Sequence, residues 1–556
     1  MVIGLINTDY ENYNMASIYD KSSLVLIPSG TKTGKVYSQK PVSGDGDFTF
    51  TRSSAATRVN ADGFIEKETQ NLLLQSNQFD TTWTLNNASV TSGQSGYDGT
   101  NDAWKLQATA NGGSAYISNA VSLTSIKSCS VYAKAGSYDY IIVQCGGGTA
   151  SYTWFDLTNG AVGTEINVID SKIESVGGGW YRCSITAQGT HTGATIYAAP
   201  SNGGVSVSAG NYIYIQNAQL EQGLVARDYI ETTTTAVEGG ITDNVPRLDY
   251  TDSSCPALLL EPQRTNLIDY SEYFNLYSTY GSPTITANAI TSPEGVVNAT
   301  KVERGTNSVP LRIGGITTLG TQYTMSLWAK AGTATKIKIE IGDETAPTYD
   351  LTSEWQRIDV TSTPNTYTHL DIEMPLSSNG DYFYIYGLQL EASASYPTSY
   401  IPTYGSSVTR TADYSVRSDM QDYVGADEGT WFMHFKDLFF DITGTGQGSI
   451  NLVYNSGNQI EFIQDGNLQY KITLNNSTAV SNLDGEDKVA IAWSLSGLVI
   501  YINGVSAYTS SSSVYANPYS QFELTRVDRR PRVDMKQILF FKTRLSNEEL
   551  AALTTI

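Results

Sequence analysis

A protein that holds a sugar needs an aromatic face beside hydrogen-bonding groups, and this chain carries such aromatics in matched pairs. In SVYAKAG and SLWAKAG, Val131 and Ala133, like Leu327 and Ala329, share one phase of a strand. Strand alternation puts Tyr132 and Trp328 on the opposite, outward phase. In GNYIYIQNAQLE and GDYFYIYGLQLE, Tyr212 and Tyr214 alternate with Ile213 and Ile215, and Tyr382 and Tyr384 with Phe383 and Ile385. These six, with Trp154 from a stretch that only one copy has, are the expected carbohydrate-stacking residues. Packing under loops or against another subunit is the competing role for each. Trp180 and Trp355 recur at one position of both copies and read as structural.

Oxygen ligands for a structural Ca²⁺ could come from Asp98 with Asp102, or from Glu294 with Asn298. An ordinary Asp-Gly turn is the competing reading. Arg526, Arg529, Arg530 and Arg532 form a basic cluster in an acidic chain, suited to anionic glycans or a neighbouring subunit's carboxylates. Asp528 and Asp534 interleave with them, so a solvated loop fits equally. Nothing selects a reaction. His191, His369 and His434 are far apart in sequence, and there is no HExxH, CxxC, P-loop or nucleophile elbow. Gly146-Gly147-Gly148 runs into a strand pattern, not a helix that would cradle phosphate. Carboxylates are plentiful, but no pair stands out as a glycosidase couple. The expectation is a non-enzyme with no cofactor beyond that calcium.

The elements that position these residues are strands, and the organising one occurs twice. Residues 210–223 and 380–393 each open on Gly, alternate, and then change phase, since Ile213 and Ile215 are followed by Ala218 and Leu220. A slip of one residue turns a strand inside out unless a bulge absorbs it. Asn217 and Gly387 sit at the slip, and both types tolerate positive φ. Upstream, TQNLLLQSNQF matches RTNLIDYSEYF, and downstream WYRCSITA matches WQRIDVTS. The second copy lacks about a hairpin of residues between these landmarks. Two copies of one large unit are tandem domains, not a solenoid.

Short strands cut by Gly, Ser, Asn and Thr, without helical period, predict an all-β protein of tandem jelly-roll or β-sandwich domains. The expected division is an N-terminal attachment segment with lead-in strands over 1–69 and jelly rolls over 70–231 and 265–424. A connector over 232–264 lies between them, and a separate unit spans 425–556. In that last unit Asn503-Gly504 signals a hairpin, and Ser546 with Glu549 a capping box for a terminal helix. Net charge is −21 over 556 residues, which argues against a nucleic-acid partner. No basic-then-apolar leader and no bilayer-length apolar run is present. Cys129 and Cys183 replace Met325 and Ile358 on the apolar phase, so all 4 Cys are expected as free thiols in a chain made in a cytosol.

The NLL-x-x-S-x-x-F opening, the S-V-Y-A-K-A-G strand, G-W-Y-R (179–182), Y-I-x-x-A-Q-L-E, then Y-I-P-T (400–403) and V-T-R-x-A-D (408–413) carry a resemblance. The repeats resemble carbohydrate-binding-module-like jelly rolls of tailed-phage virion proteins. The first copy departs from the pattern at its end, with Tyr229-Ile230-Glu231 and no V-T-R-x-A-D. The last unit resembles a concanavalin A-like (laminin G-like) lectin domain through AWSLSGLVIYINGV and ILFFKTRLSNEEL. The opening, SLVLIP through Arg58-Val59-Asn60, is similar to the starts of fibre proteins from phages of Bacteroidetes. The resemblance implies a virion protein made in the host cytoplasm: a head or tail fibre or spike that contributes to adhesion to host-surface glycans. It implies attachment to other virion proteins through the N-terminal segment, a homotrimer, and no membrane insertion. The alternatives are a decoration or adaptor protein without a ligand, and a capsule depolymerase, for which the short regular repeats of a β-helix are missing.

Overall fold

The computed structural model describes residues 17–146, 150–342, 346–439, 449–455, 458–464, 470–474, 477–481, 485–511, 518–525 and 531–555. The chain is almost entirely β and forms sandwiches, as its alternating patterns require. In the first repeat one six-stranded sheet runs Asp170–Gly177, Trp180–His191, Leu123–Ala135, Tyr212–Gln222, Ala103–Ala108 and Ala88–Gln94. The facing six-stranded sheet runs Ala161–Ile166, Ser151–Asp156, Tyr140–Gly146, Gly193–Ala199, Ala115–Asn119 and Thr84–Asn86. Leu106, Val131, Ile141, Phe155, Cys183, Ile196 and Ile213 fill the space between them.

The second repeat builds the same sandwich from two five-stranded sheets. The residues that only the first copy has supply Ala161–Ile166 and Asp170–Gly177, which add one edge strand to each of its sheets. Both closing strands carry the expected bulge. Ser130 faces Gln219 but Tyr132 faces Gln216, so one extra residue sits on the closing strand, and Asn217 has φ 52°. Ser326 and Trp328 face Gln389 and Tyr386 in the same way, around Gly387 at φ 67°.

The third sandwich differs from the expected 425–556 unit, because distant segments complete it. Its eight-stranded sheet contains Arg247–Asp249, Ala257–Leu260, Gly429–Phe439 and Arg532–Phe541, and Leu24–Leu26 also pairs with Arg532–Phe541. Its nine-stranded sheet begins with Thr31–Lys32, Lys35–Val36, Phe48–Thr51 and Tyr414–Ser418. Lead-in, connector and trailing linker are therefore strands of this composite sandwich. The reason is apolar burial. Leu24 and Leu26 enter a core with Phe48, Leu258, Trp431 and Phe540. Val25 on the other face meets Leu550 and Leu553 of the helix Asn547–Thr554. That run of three apolar residues is covered on both sides, as its lack of alternation demands. The capping box is present: Glu549 N donates to Ser546 Oγ at 3.2 Å and Ser546 N to Glu549 Oε2 at 2.9 Å.

Candidate functional site

The bulge leaves the second half of each closing strand with buried polar side chains that hold the chain leaving the sandwich. Gln389 Oε1 accepts from Ile401 N at 2.7 Å, and Gln219 Oε1 from Ile230 N at 2.8 Å. Glu391 accepts from Thr398 N at 2.9 Å, and Glu221 from Arg227 N at 2.9 Å. Asn266 Nδ2 donates to Leu388 O and Ile401 O, and its Oδ1 accepts from Ile268 N and Leu390 N. Tyr400 and Tyr229 then meet Ser271 and Ser76, each pair of hydroxyl oxygens lying 2.6 Å apart. The Arg of W-x-R joins in: Arg357 donates to Ser326 Oγ at 3.1 Å and to Thr398 O at 2.7 Å. The most recognisable motifs of the repeats are thus a latch on the exit segment.

The outward aromatics differ in how far they stay accessible. Tyr132 is 9% exposed, stacked on Tyr97 at 4.0 Å between centroids, with the Arg182 guanidinium 5.6 Å from its ring. Trp154 is 6% exposed among Ile142, Ala199 and Tyr197, and its Nε1 donates to Gly204 O at 3.1 Å. Neither offers a face to a sugar, contrary to the expectation for both. Alternation pointed Tyr132 outward and the extra stretch singled out Trp154, but loops and neighbouring rings cover both. Trp328 is half-buried, with Arg357 4.7 Å from its ring centre and Gly387 packed against it.

The two tyrosine pairs remain part-exposed, in the same arrangement twice. Tyr212 and Tyr214 meet edge to face at 5.3 Å, with Lys105 Nζ 5.5 Å from the Tyr212 centroid. Tyr382 and Tyr384 meet at 5.5 Å, with Lys301 Nζ 4.2 Å from the Tyr382 centroid. On the neighbouring strands Lys105 and Lys134 oppose Tyr214, and Lys301 and Lys330 oppose Tyr384. The hydrogen bond to Glu303 raises the Lys301 pKa, so its charge is secure at neutral pH. Each patch can stack a sugar on a ring and give ammonium donors to its hydroxyl or carboxylate oxygens.

The expected calcium ligands have other partners. Asp98 and Asp102 are exposed and converge on Thr100 and on Gln216 Nε2, which donates to Asp102 Oδ1 at 2.6 Å. Glu294 is buried and accepts from Asn298 Nδ2 at 2.9 Å, but Lys67 Nζ at 2.5 Å and Arg227 occupy the cation position. Burial would raise its carboxyl; Lys67 and Arg227 overcome that and hold it at about 2. This corrects the calcium expectation at Glu294 and Asn298: the ionic cluster joins lead-in, first repeat and second repeat.

Arg526, Arg529 and Arg530 lie outside the described residues. Arg532 donates to Pro397 O at 2.9 Å and stands 3.9 Å from Asp534. It lines a cavity of about 290 Å³ where the second repeat meets the composite sandwich, with Trp328, Arg357, Asp252, Asp437 and Asp534. Burial pushes the Asp534 carboxyl up to about 7, against Arg532 and with the Asp249 and Asp437 charges. The histidines do not converge: His191 belongs to the first repeat, His369 to the second, and His434 to the composite sandwich.

No family model and no curated protein matches the sequence. Among solved structures the chain is similar to the N-terminal CBM22-1–CBM22-2 tandem domain of Xyn10C from Paenibacillus barcinonensis, at 13% identity and a TM-score of 0.21, covering 58% of this chain and 97% of that one. It is also similar to the arabinofuranosyltransferase AftD from Mycobacteria, at 10% identity and a TM-score of 0.16, covering 84% of this chain and 36% of AftD. Likeness at these TM-scores carries no weight for function.

Proposed function

We propose that the protein is a virion component of a tailed phage, a head or tail fibre or spike that adheres to host-surface glycans through the tyrosine–lysine faces of its two repeats. One observation carries the adhesive reading: the same part-exposed Tyr pair, with a lysine over its first ring, stands on both repeats, while Tyr132 and Trp154 are covered. The virion assignment rests on the motif resemblance, as do trimer formation and contact with other virion proteins. In this reading the N-terminal segment attaches the chain, the sandwich that residues 24–51 share with residues 429–541 serves as the base, and the repeats are presented to the host; the shared sheets support that arrangement. No reaction is assigned.

A glycan array probed with the full-length chain tests the adhesive reading, with the Tyr214→Ala/Tyr384→Ala double variant beside it. Wild-type signal on a defined glycan set, lost in the variant, supports it. No signal on any glycan favours a structural decoration or adaptor role, and release of reducing ends from host capsule would replace both with a depolymerase.

A further inference from the structure

We propose that Asp252, Asp437 and Asp534 bind one divalent, oxygen-seeking cation of the calcium type, which ties together three segments of the composite sandwich where it meets the second repeat. The three carboxylates come from three chain segments. Asp252 lies in the turn between Arg247–Asp249 and Ala257–Leu260, Asp437 in Gly429–Phe439, and Asp534 in Arg532–Phe541. One ligand oxygen from each lies within 4.8 Å of the others. Oxygens about 2.4 Å from one calcium ion on opposite sides are about 4.8 Å apart, so the spacing suits a shared ion. Asp437 is aimed by a distortion of its strand: its φ is 50°, and the pairing with Arg532–Phe541 shifts register between Lys436 and Phe439.

An acidic cluster alone would not carry this, but Asp534 supplies a second, independent sign. It is 8% exposed, and its Oδ1 is buried without a hydrogen-bond partner. A carboxylate oxygen left so costs several kcal/mol in general terms unless something serves it. It lines the 290 Å³ cavity together with Asp252 and Asp437, so there is room for an ion and its waters. Protein cations compensate the cluster only in part. Lys436 Nζ sits 2.7 Å from Asp252 Oδ2, and Arg532 is 3.9 Å from Asp534 Oδ2, leaving Oδ1 unserved. Among the described residues no cation contacts Asp437. The other acidic trio, Glu340, Asp371 and Glu373, contrasts with this: Arg312 Nε donates to Asp371 Oδ1 at 2.6 Å, and Lys338 pairs with Glu340.

The test uses the full-length chain stripped with a chelator. Calcium chloride at millimolar concentration is expected to raise the thermal midpoint of the wild type by about 3 °C or more, reversibly on chelation. Terbium bound in its place is expected to luminesce under tryptophan excitation and to be displaced by calcium. Asp437→Asn, at a partly exposed position, keeps the fold and is expected to abolish both responses, as is Asp534→Asn. Absence of the midpoint shift and of terbium emission in the wild type overturns the proposal. So does a response that survives both substitutions, or one that Asp98→Asn removes instead.

Discussion

At the scale of single residues, exposure rather than residue type separates binding candidates from packing. Tyr384 is part-exposed and opposed by Lys301 and Lys330, so Tyr384→Ala is expected to weaken binding to an array-selected glycan about 5- to 30-fold, measured by calorimetry, without lowering the thermal midpoint. Tyr132→Ala should do the opposite. Removing a ring stacked on Tyr97 and covered by Arg182 is expected to cost about 2–4 kcal/mol in urea unfolding of the first repeat. Gly387 is the sharpest backbone constraint. Its φ is 67°, and an added Cβ would meet the Trp328 ring at 3.0 Å, so Gly387→Val should destabilise the second repeat by about 1–3 kcal/mol. Alternation in the sequence tells which side of a sheet Tyr132 occupies, and the unmatched stretch singles out Trp154. Neither can tell that Tyr97 and the Gly204 loop cover them, because cover comes from residues far along the chain.

At the scale of elements, the bulges were legible as a phase slip because period 2 permits no other repair. The latch was legible only as a motif. Asn266, Gln389 and Glu391 show in the sequence as polar residues at matched places, but their use as clamps depends on where the exit segment runs. Asn266 is fully buried and spends all four of its hydrogen-bonding positions on backbone. Asn266→Ala is expected to cost about 2–4 kcal/mol, read as a lower urea midpoint for the second repeat. Glu68 beside the lead-in strand gives a pH signature. Burial, then the Glu238 and Asp243 charges, raise its carboxyl to about 7. The folded state then holds a proton that the unfolded state releases, so this group's contribution falls as pH rises from about 4.5 to 7. Glu68→Gln should raise the thermal midpoint at pH 8, and the difference should shrink near pH 4.5.

At the scale of the whole molecule, the two repeats are excursions from one sandwich, and nothing local in the sequence announces it. Leu24 pairs with Phe540 and Leu258 with Met535, contacts across hundreds of residues that carry no periodicity or turn signal. Deleting residues 17–51 should therefore expose Trp431 and Trp493, both fully buried, and red-shift their fluorescence, although both lie near the other end of the chain. Assembly is predicted as a homotrimer, since part-exposed amphipathic faces suit contacts between subunits; a monomer mass by light scattering, unchanged on dilution, would refute it. The pairing of Leu24 with Phe540 also fixes how the molecule bears load. Antiparallel register puts the outer ends of both strands at one end of their ladder, so a pull between residues 17 and 555 peels this ladder bond by bond instead of shearing it. Neither repeat lies on that mechanical path: a pull applied between residues 17 and 555 would open the composite sandwich first and leave both repeats unstretched.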